Sequence, residues 1–182
     1  MDNKKLGELG TSWQHRGQTR PGFAVEPGPN QESVWDYPRP PAYVSDDRWV
    51  VVRVDGQILA QSDQCIRALE TGSPPAIYLP AQAFDWSALK PNSRETFCEW
   101  KGVAHYFDVI GPNGVIEAAV WTYPTPASGA EVIAGWCSCY PEKLQCEVGN
   151  EIVAAQAGRY YGGWVTSELV GPWKGEPGTE HW

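Results

Sequence analysis

The clearest pattern in the chain follows Gly102, where the side chains alternate with a period of two. Two sets of residues lie on opposite faces of this predicted strand: Val103, His105, Phe107 and Val109 on one, Ala104, Tyr106, Asp108 and Ile110 on the other. A period of two is typical of a half-buried β-strand. Residues 111–114, Gly-Pro-Asn-Gly, turn the chain into a second strand over 115–122. This hairpin returns Trp121 to the end where Cys98 lies.

Two further hairpins are predicted from turn dipeptides between short apolar runs. Residues 49–54 and 57–60 flank Asp55-Gly56, a pair that favours a type I′ turn. Gly149-Asn150 likewise separates 145–148 from 151–154. We also predict strands over 76–80 and 131–140.

Two segments of the body depart from the strand pattern. Cys65, Ile66 and Leu69 have helical spacing, so we expect a short helix from Ser62 or Asp63 to Glu70, ended by Thr71-Gly72. Residues 81–95 have no sustained period and are predicted to form an irregular loop.

These elements predict a mainly β fold. Antiparallel sheets of short hairpins form a compact β-tent or a small barrel-like arrangement with one short helix. We divide the chain into a flexible N-terminal arm over 1–32, a β domain over 33–154 and a Gly- and aromatic-rich extension over 155–182, with the arm and the tail packed on the body. Residues 33–41, which contain Trp35, are interpreted as a packing strap or as a lid over a pocket.

Charge and hydropathy narrow the classes of partner. Asp and Glu number 22 against 14 Lys and Arg, so the net charge of -8 opposes nucleic acid binding. No apolar run reaches the length of a membrane span, and the first residues lack the apolar core of a secretory signal. We therefore expect a cytoplasmic protein with no nucleic acid or membrane partner; its oligomeric state is left open.

The cysteines favour thiols over a disulfide framework or a metal site. There are 5 of them, an odd number, and none forms a Cys-x-x-Cys pair. Cys137 and Cys139 would share one face of a strand, but no second pair has ligand spacing. We predict buried small side chains, no metal and no cofactor.

Four motifs in order resemble one protein family: Trp35-Asp-Tyr-Pro-Arg-Pro-Pro41, Glu70-Thr-Gly-Ser-Pro-Pro75, Cys98-Glu-Trp-Lys-Gly102 with Tyr106, and Trp121-Thr-Tyr-Pro124. They are similar to the domain of unknown function 427, over about residues 50–150. The end of the chain, over 161–167 and 170–178, resembles an extension of cyanobacterial and plastid-related members. The resemblance implies a compact antiparallel β fold with a pocket near the Cys-x-x-Lys-Gly and Trp-x-Tyr motifs.

The family also carries a nucleotidyltransferase-like label, which the residues do little to support. Metal-dependent nucleotidyl transfer needs paired carboxylates for Mg²⁺ and a Gly-rich phosphate cradle. Asp46 and Asp47 are adjacent, so on a strand they would point apart, and Gly162-Gly163 lies in an aromatic tail.

The candidate site is predicted where the motifs converge. The candidate catalytic residues are Cys98, Lys101 and Glu70; the candidate ligand-binding residues are Tyr78, Trp100, Tyr106, Trp121 and Tyr123. Lys101 would fix an anionic or carbonyl group, Glu70 would pair with it or accept a proton, and the rings would stack on a ligand. A nearby ammonium favours a nucleophilic thiolate at Cys98.

Each of these residues also has a structural interpretation. His105 shares its face with Val103 and Phe107, so a hydrogen-bonded core histidine is favoured over a base for Cys98. Cys98 and Trp100 could equally be packing residues, and Lys101 could form a surface ion pair.

Three classes of function therefore stay open. We favour a protein that binds a small molecule in an aromatic pocket. The first alternative is an enzyme that carries out group transfer or hydrolysis with Cys98, Lys101 and Glu70, or a nucleotidyltransferase-like enzyme as the family label suggests. The second is an accessory protein that binds a partner.

Overall fold

The computed structural model describes residues 14–158, 161–179 and 182, and within them the chain is mainly β. The strands in chain order are β1 (Glu32–Ser33), β2 (Ala42–Asp46), β3 (Val50–Val54), β4 (Gln57–Ser62), β5 (Cys65–Glu70), β6 (Ser73–Tyr78), β7 (Leu89–Cys98), β8 (Gly102–Gly111), β9 (Gly114–Thr122), β10 (Cys137–Cys139), β11 (Gln145–Val148), β12 (Glu151–Ile152), β13 (Ala154–Ala155), β14 (Trp164–Val165) and β15 (Leu169–Val170). Short 3₁₀-helices span Val34–Asp36, Ala81–Ala83, Trp86–Ala88 and Glu131–Ile133. The predicted mainly β class is confirmed.

Open, mostly antiparallel sheets build the body. Their strand orders are β10-β9-β8-β7, β12-β11-β3-β4 and β2-β5-β6, with the smaller pairs β13-β14 and β1-β15. Of the helices in the described part of the chain, none is long and apolar enough to cross a membrane.

The predicted hairpins are confirmed with the expected turn geometry. Strands β3 and β4 pair across Asp55 and Gly56, whose φ angles of 48° and 81° are those that a type I′ turn needs. Asn150, with φ 72°, turns β11 into β12. Strands β8 and β9 are joined at Gly111 and Gly114.

The predicted helix over 62–70 is wrong, because Cys65–Glu70 is strand β5. This strand pairs with β2 on one side and β6 on the other. Its sequence has good helix formers, but hydrogen bonding along both edges and burial between two strands outweigh a weak local preference.

The predicted loop over 81–95 and the strand over 131–140 are each wrong in part. Leu89 begins β7, a strand at the edge of its sheet, whose charged and polar residues and Pro91 are typical of edges that must not pair with another chain. In the later segment only Cys137–Cys139 is a strand; Glu131–Ile133 is a 3₁₀-helix.

The main core holds most of the cysteines, as predicted. Cys65, Cys137, Cys139 and Cys146 are buried, and all are free thiols. Burial raises the pKa of Cys65 to about 12 and that of Cys137 to about 11. The Cys139 and Cys146 sulfur atoms lie 3.5 Å apart, in van der Waals contact.

The two ends of the described chain pack on each other. Strand β1 pairs in parallel with β15, and the indole nitrogen of Trp35 donates to the carbonyl of Pro172 at 2.7 Å. Trp35 is 1% exposed and packs with Phe23 and Trp182. The domain boundaries stay predictions, and residues 1–13 of the predicted arm lie outside the described residues, as does Tyr160 of the extension.

Candidate functional site

A cleft of about 530 Å³ opens between the sheet that contains β8 and the sheet that contains β6. The predicted site residues all line it: Glu70, Tyr78, Cys98, Trp100, Lys101, Tyr106, Trp121 and Tyr123. Five of these come from strands β5 to β9, one from each strand, whereas Trp100 and Lys101 lie in the turn between β7 and β8 and Tyr123 directly follows β9. The geometric convergence that the hairpin predicts is present, and the roles of these side chains stay proposals.

Lys101 is held in place by its backbone. Its carbonyl accepts a hydrogen bond of 3.0 Å from the Ala127 N–H. The next residue, Gly102, has φ +90°, and an added Cβ would lie 3.2 Å from the Ala127 nitrogen. A glycine therefore fits both the left-handed conformation and the close approach of the two segments.

The ammonium group of Lys101 is buried beside two candidate catalytic groups. Lys101 is 9% exposed, with its Nζ 3.8 Å from Oε2 of Glu70 and 3.9 Å from Sγ of Cys98. Burial alone lowers the pKa of Lys101, but its Coulombic interactions with Cys98, Tyr78 and Glu70 together outweigh burial, so the net pKa is raised. Lys101 is therefore a permanent cation at neutral pH.

Glu70 is shared between two cations. Its Oε1 lies 3.5 Å from Nε of Arg39, whose side chain is fully buried. A terminal nitrogen of Arg39 donates to the Thr71 carbonyl at 2.6 Å. The sequence motifs contain Arg39 but give no reason to place it behind Glu70, which is 31 residues later at the end of strand β5.

Lys174 is a further buried cation near this charge cluster. It is 3% exposed, and its pKa is lowered to about 8, chiefly by burial and also by the charge of Arg39, against the opposing effect of Glu70 and Glu99. It lies in the 170–178 segment that resembles a family extension, but nothing in that sequence places it near the four motifs.

Aromatic side chains form one wall of the cleft. The indole nitrogen of Trp121 donates to Tyr78 Oη at 3.3 Å, and the two rings meet edge to face with centroids 6.3 Å apart. Tyr140 packs on Trp121 with centroids 4.6 Å apart. Burial raises the pKa values of Tyr78 and Tyr123, so both phenols stay neutral.

A polar chain of hydroxyl groups continues this wall toward β7. Thr96 Oγ1 lies 2.7 Å from Tyr106 Oη, which lies 3.5 Å from Tyr140 Oη. The guanidinium carbon of Arg94 is 4.8 Å from the centre of the Tyr106 ring, within cation–π range. The cleft therefore has a second cation at this side, which the sequence analysis did not identify.

The prediction of a core histidine is wrong. The side chain of His105 is 50% exposed, and its Nε2 lies 3.5 Å from Oε1 of Glu95. Period-two alternation puts His105 on the opposite face of β8 from the buried Tyr106. Val103 shares the face of His105 and is itself exposed, so hydrophobic side chains on that face did not show that it is buried. His105 does not line the cleft, so the structure gives no support to a role as base for Cys98.

The C-terminal segment also contributes to the site. Gln156, Tyr161, Gly162 and Gly163 line the cleft. The tail was predicted to pack on the body, but nothing in its sequence indicated which surface it covers. Among the described residues, no group of three or more His, Cys, Asp or Glu side chains could hold a metal ion.

Cys98 is the accessible thiol of the described chain. It is half-buried and lines the cleft, whereas the other cysteines are buried. At pH 7 we expect iodoacetamide to alkylate Cys98 at least about ten times faster than Cys65, because burial keeps Cys65 protonated and shielded. Peptide mass spectrometry over a time course measures both rates. Equal and slow rates would remove Cys98 as a reactive group, and Cys98→Ser is the matched control.

Comparison with known proteins gives one assignment. None of the curated proteins compared with the chain matches it significantly. A family model described as a domain of unknown function (DUF427) matches residues 42–150, which include β2 to β11 and most of the cleft wall. Because this match covers more than half of the chain, the protein belongs to the DUF427 family.

Proposed function

We propose that the cleft binds a small planar molecule that carries a carboxylate or another anionic group. The observation that carries this proposal is the buried ammonium of Lys101 at a cleft of about 530 Å³ with aromatic walls. Pockets of this size, largely apolar with a few polar groups, are typical of small-molecule sites.

The charges around Lys101 favour an anionic group on the ligand. Glu70 is its nearest carboxylate, and Arg39 lies slightly closer to Glu70 than Lys101 does, at 3.5 Å against 3.8 Å. The carboxylate is therefore shared, and the ammonium keeps hydrogen-bonding capacity for a ligand oxygen. Such a charge-assisted bond in a partly buried site is worth about 1.5–3 kcal/mol.

The rings favour a planar group next to that anion. Tyr78, Trp121 and Tyr123 line the cleft, and their packing against one another limits ring motion. Offset or edge-to-face contacts with an aromatic ligand add about 0.5–1.5 kcal/mol beyond area burial. A naphthoate-like molecule has both features, an anionic carboxylate and a planar aromatic ring.

Replacing Lys101 by methionine is expected to weaken the binding of 2-naphthoate by at least about ten-fold, because the change removes the charged hydrogen bond and keeps the chain length. Isothermal titration calorimetry measures the affinity. Lys90→Met is the matched control, since Lys90 is exposed and does not line the cleft. Equal affinities of the two variants would contradict the proposal.

The same variant separates binding from folding. Glu70 keeps Arg39 as a partner after the change, so Lys101→Met should cost less than about 2 kcal/mol of stability, below the cost of orphaning a buried charge. A much larger fall in melting temperature would instead assign Lys101 a structural role.

One observation favours a second candidate function, an enzyme. Cys98 Sγ lies 3.9 Å from Lys101 Nζ at the cleft wall, an arrangement suited to a thiol nucleophile beside a cation. In that case Glu70 accepts a proton in a group transfer or hydrolysis. The nucleotidyltransferase-like label, the partner-binding role and the assignment of residues 155–182 to a cyanobacterial and plastid-related type of extension stay predictions.

A further inference from the structure

Part of the cleft wall lies outside the DUF427 match. Tyr161, Gly162 and Gly163 line the cleft, whereas the family match ends at residue 150. The wall formed by these three residues, here called the tail wall, faces the side chains that the family motifs supply.

Gly162 lies directly against the indole of Trp121. A Cβ added to Gly162 would fall closer than 3.0 Å to Cη2 of that ring and 3.1 Å from Cζ2 and Cζ3. The φ angle of Gly162 is outside the left-handed region, so its backbone conformation suits any residue. The close approach to Trp121 is therefore what requires a glycine here.

The tail wall is anchored at Gly163 and at the residue that follows it. Gln156 donates its backbone N–H to the Gly163 carbonyl at 3.2 Å, and its side chain donates to the Lys174 carbonyl at 2.8 Å. Trp164 is 1% exposed, and its indole nitrogen donates to the Cys139 carbonyl at 3.1 Å. The segment is thus fixed to the core immediately after the glycines.

Trp121 is fixed as well. Its nitrogen is bonded to Tyr78, and Tyr140 packs on its ring. A thick ligand would have to displace either this indole or the anchored tail wall, and both movements break buried contacts.

We propose that Gly162 is a specificity-determining residue, which sets the space beside Trp121 so that the cleft selects planar over globular anions. This inference rests on the proposed function and adds the shape of the ligand. It also assigns specificity in this chain to a segment beyond the DUF427 match.

Two carboxylates of similar size but different thickness test the proposal, 2-naphthoate and 1-adamantanecarboxylate. We expect the unaltered protein to bind 2-naphthoate at least about ten-fold more tightly, measured by calorimetry. Gly162→Ala should weaken 2-naphthoate binding at least about five-fold, and more than it weakens 1-adamantanecarboxylate binding, because the methyl group displaces the indole or the tail wall. Gly22→Ala is the control, since its Cβ would meet nothing within 4 Å.

A second variant keeps the test decisive if Gly162→Ala folds poorly. Trp121→Phe removes Cη2, Cζ2 and Cζ3, the atoms that crowd Gly162. In this background Gly162→Ala should weaken 2-naphthoate binding less than it does beside Trp121, a non-additivity of at least about three-fold. Trp121→Phe alone should also narrow the preference for the planar acid.

The outcomes separate the two proposals. If 2-naphthoate binding depends on Lys101 but neither Gly162→Ala nor Trp121→Phe changes the ratio of the two affinities, the role of Gly162 is overturned and the proposed function stands. If the protein binds neither acid, or binds both independently of Lys101, the proposed function fails and this inference fails with it.

Discussion

Replacing Trp35 by alanine is expected to lower the free energy of unfolding by about 3–5 kcal/mol, the usual cost of truncating a buried Trp. Trp35 is 1% exposed, packs edge to face on Phe23 and Trp182, and donates a hydrogen bond of 2.7 Å to Pro172. The change leaves a cavity and an unpaired carbonyl together. Chemical denaturation measures the loss.

Trp49→Ala is the matched control, because Trp49 is 48% exposed and should cost less than about 1 kcal/mol. None of residues 33–41 lines the cleft, so Trp35→Ala should leave the affinity for 2-naphthoate within about two-fold wherever the protein is folded. A stability loss no larger than that of the control would show that the strap is not part of the core. A selective loss of affinity would support the lid interpretation instead.

The second large effect is expected at Trp164, where stability and binding should fall together. Truncation to alanine removes a fully buried side chain and its hydrogen bond to Cys139, at a cost of about 3–5 kcal/mol. Because Trp164 follows Gly163 directly, the tail wall also loses its anchor. We expect 2-naphthoate affinity to fall at least about five-fold under conditions where the variant is folded.

The control for this variant is Trp86→Ala. Trp86 is 45% exposed and packs on Phe107, away from the cleft, so its loss should cost about 1 kcal/mol and leave binding unchanged. Calorimetry and denaturation of both variants give the comparison. Unchanged affinity in folded Trp164→Ala would mean that the tail wall does not depend on this anchor.

Local sequence signals were sufficient to predict the hairpins and the meeting of the candidate site residues. Asp55-Gly56 fixes a turn by its backbone angles, and the return of β9 along β8 follows from the chain direction alone. The meeting of Trp121 with the turn that holds Lys101 was therefore predictable. The cations Arg39 and Lys174 were not, because their places depend on contacts between segments distant in sequence.

The errors have a common physical origin in tertiary context. Residues 65–70 have helical spacing, but pairing on both sides makes them a strand. For β8 the two-residue alternation was predicted correctly, but the buried face was predicted wrongly. Alternation alone does not distinguish the two faces of a strand. A register shift between Phe107 and Val109 adds to the difficulty, because Val109 is buried although Val103 on the same predicted face is exposed.

The pairing of β1 with β15 has a consequence for synthesis on the ribosome. Glu32 pairs with Leu169 and Trp35 bonds to Pro172, so these contacts cannot form until residues 169–172 have left the exit tunnel. The hairpins β3-β4 and β8-β9 need only neighbouring residues and can assemble earlier. The pairing of residues 32–35 with residues 169–172 is therefore expected to follow the formation of these hairpins during synthesis.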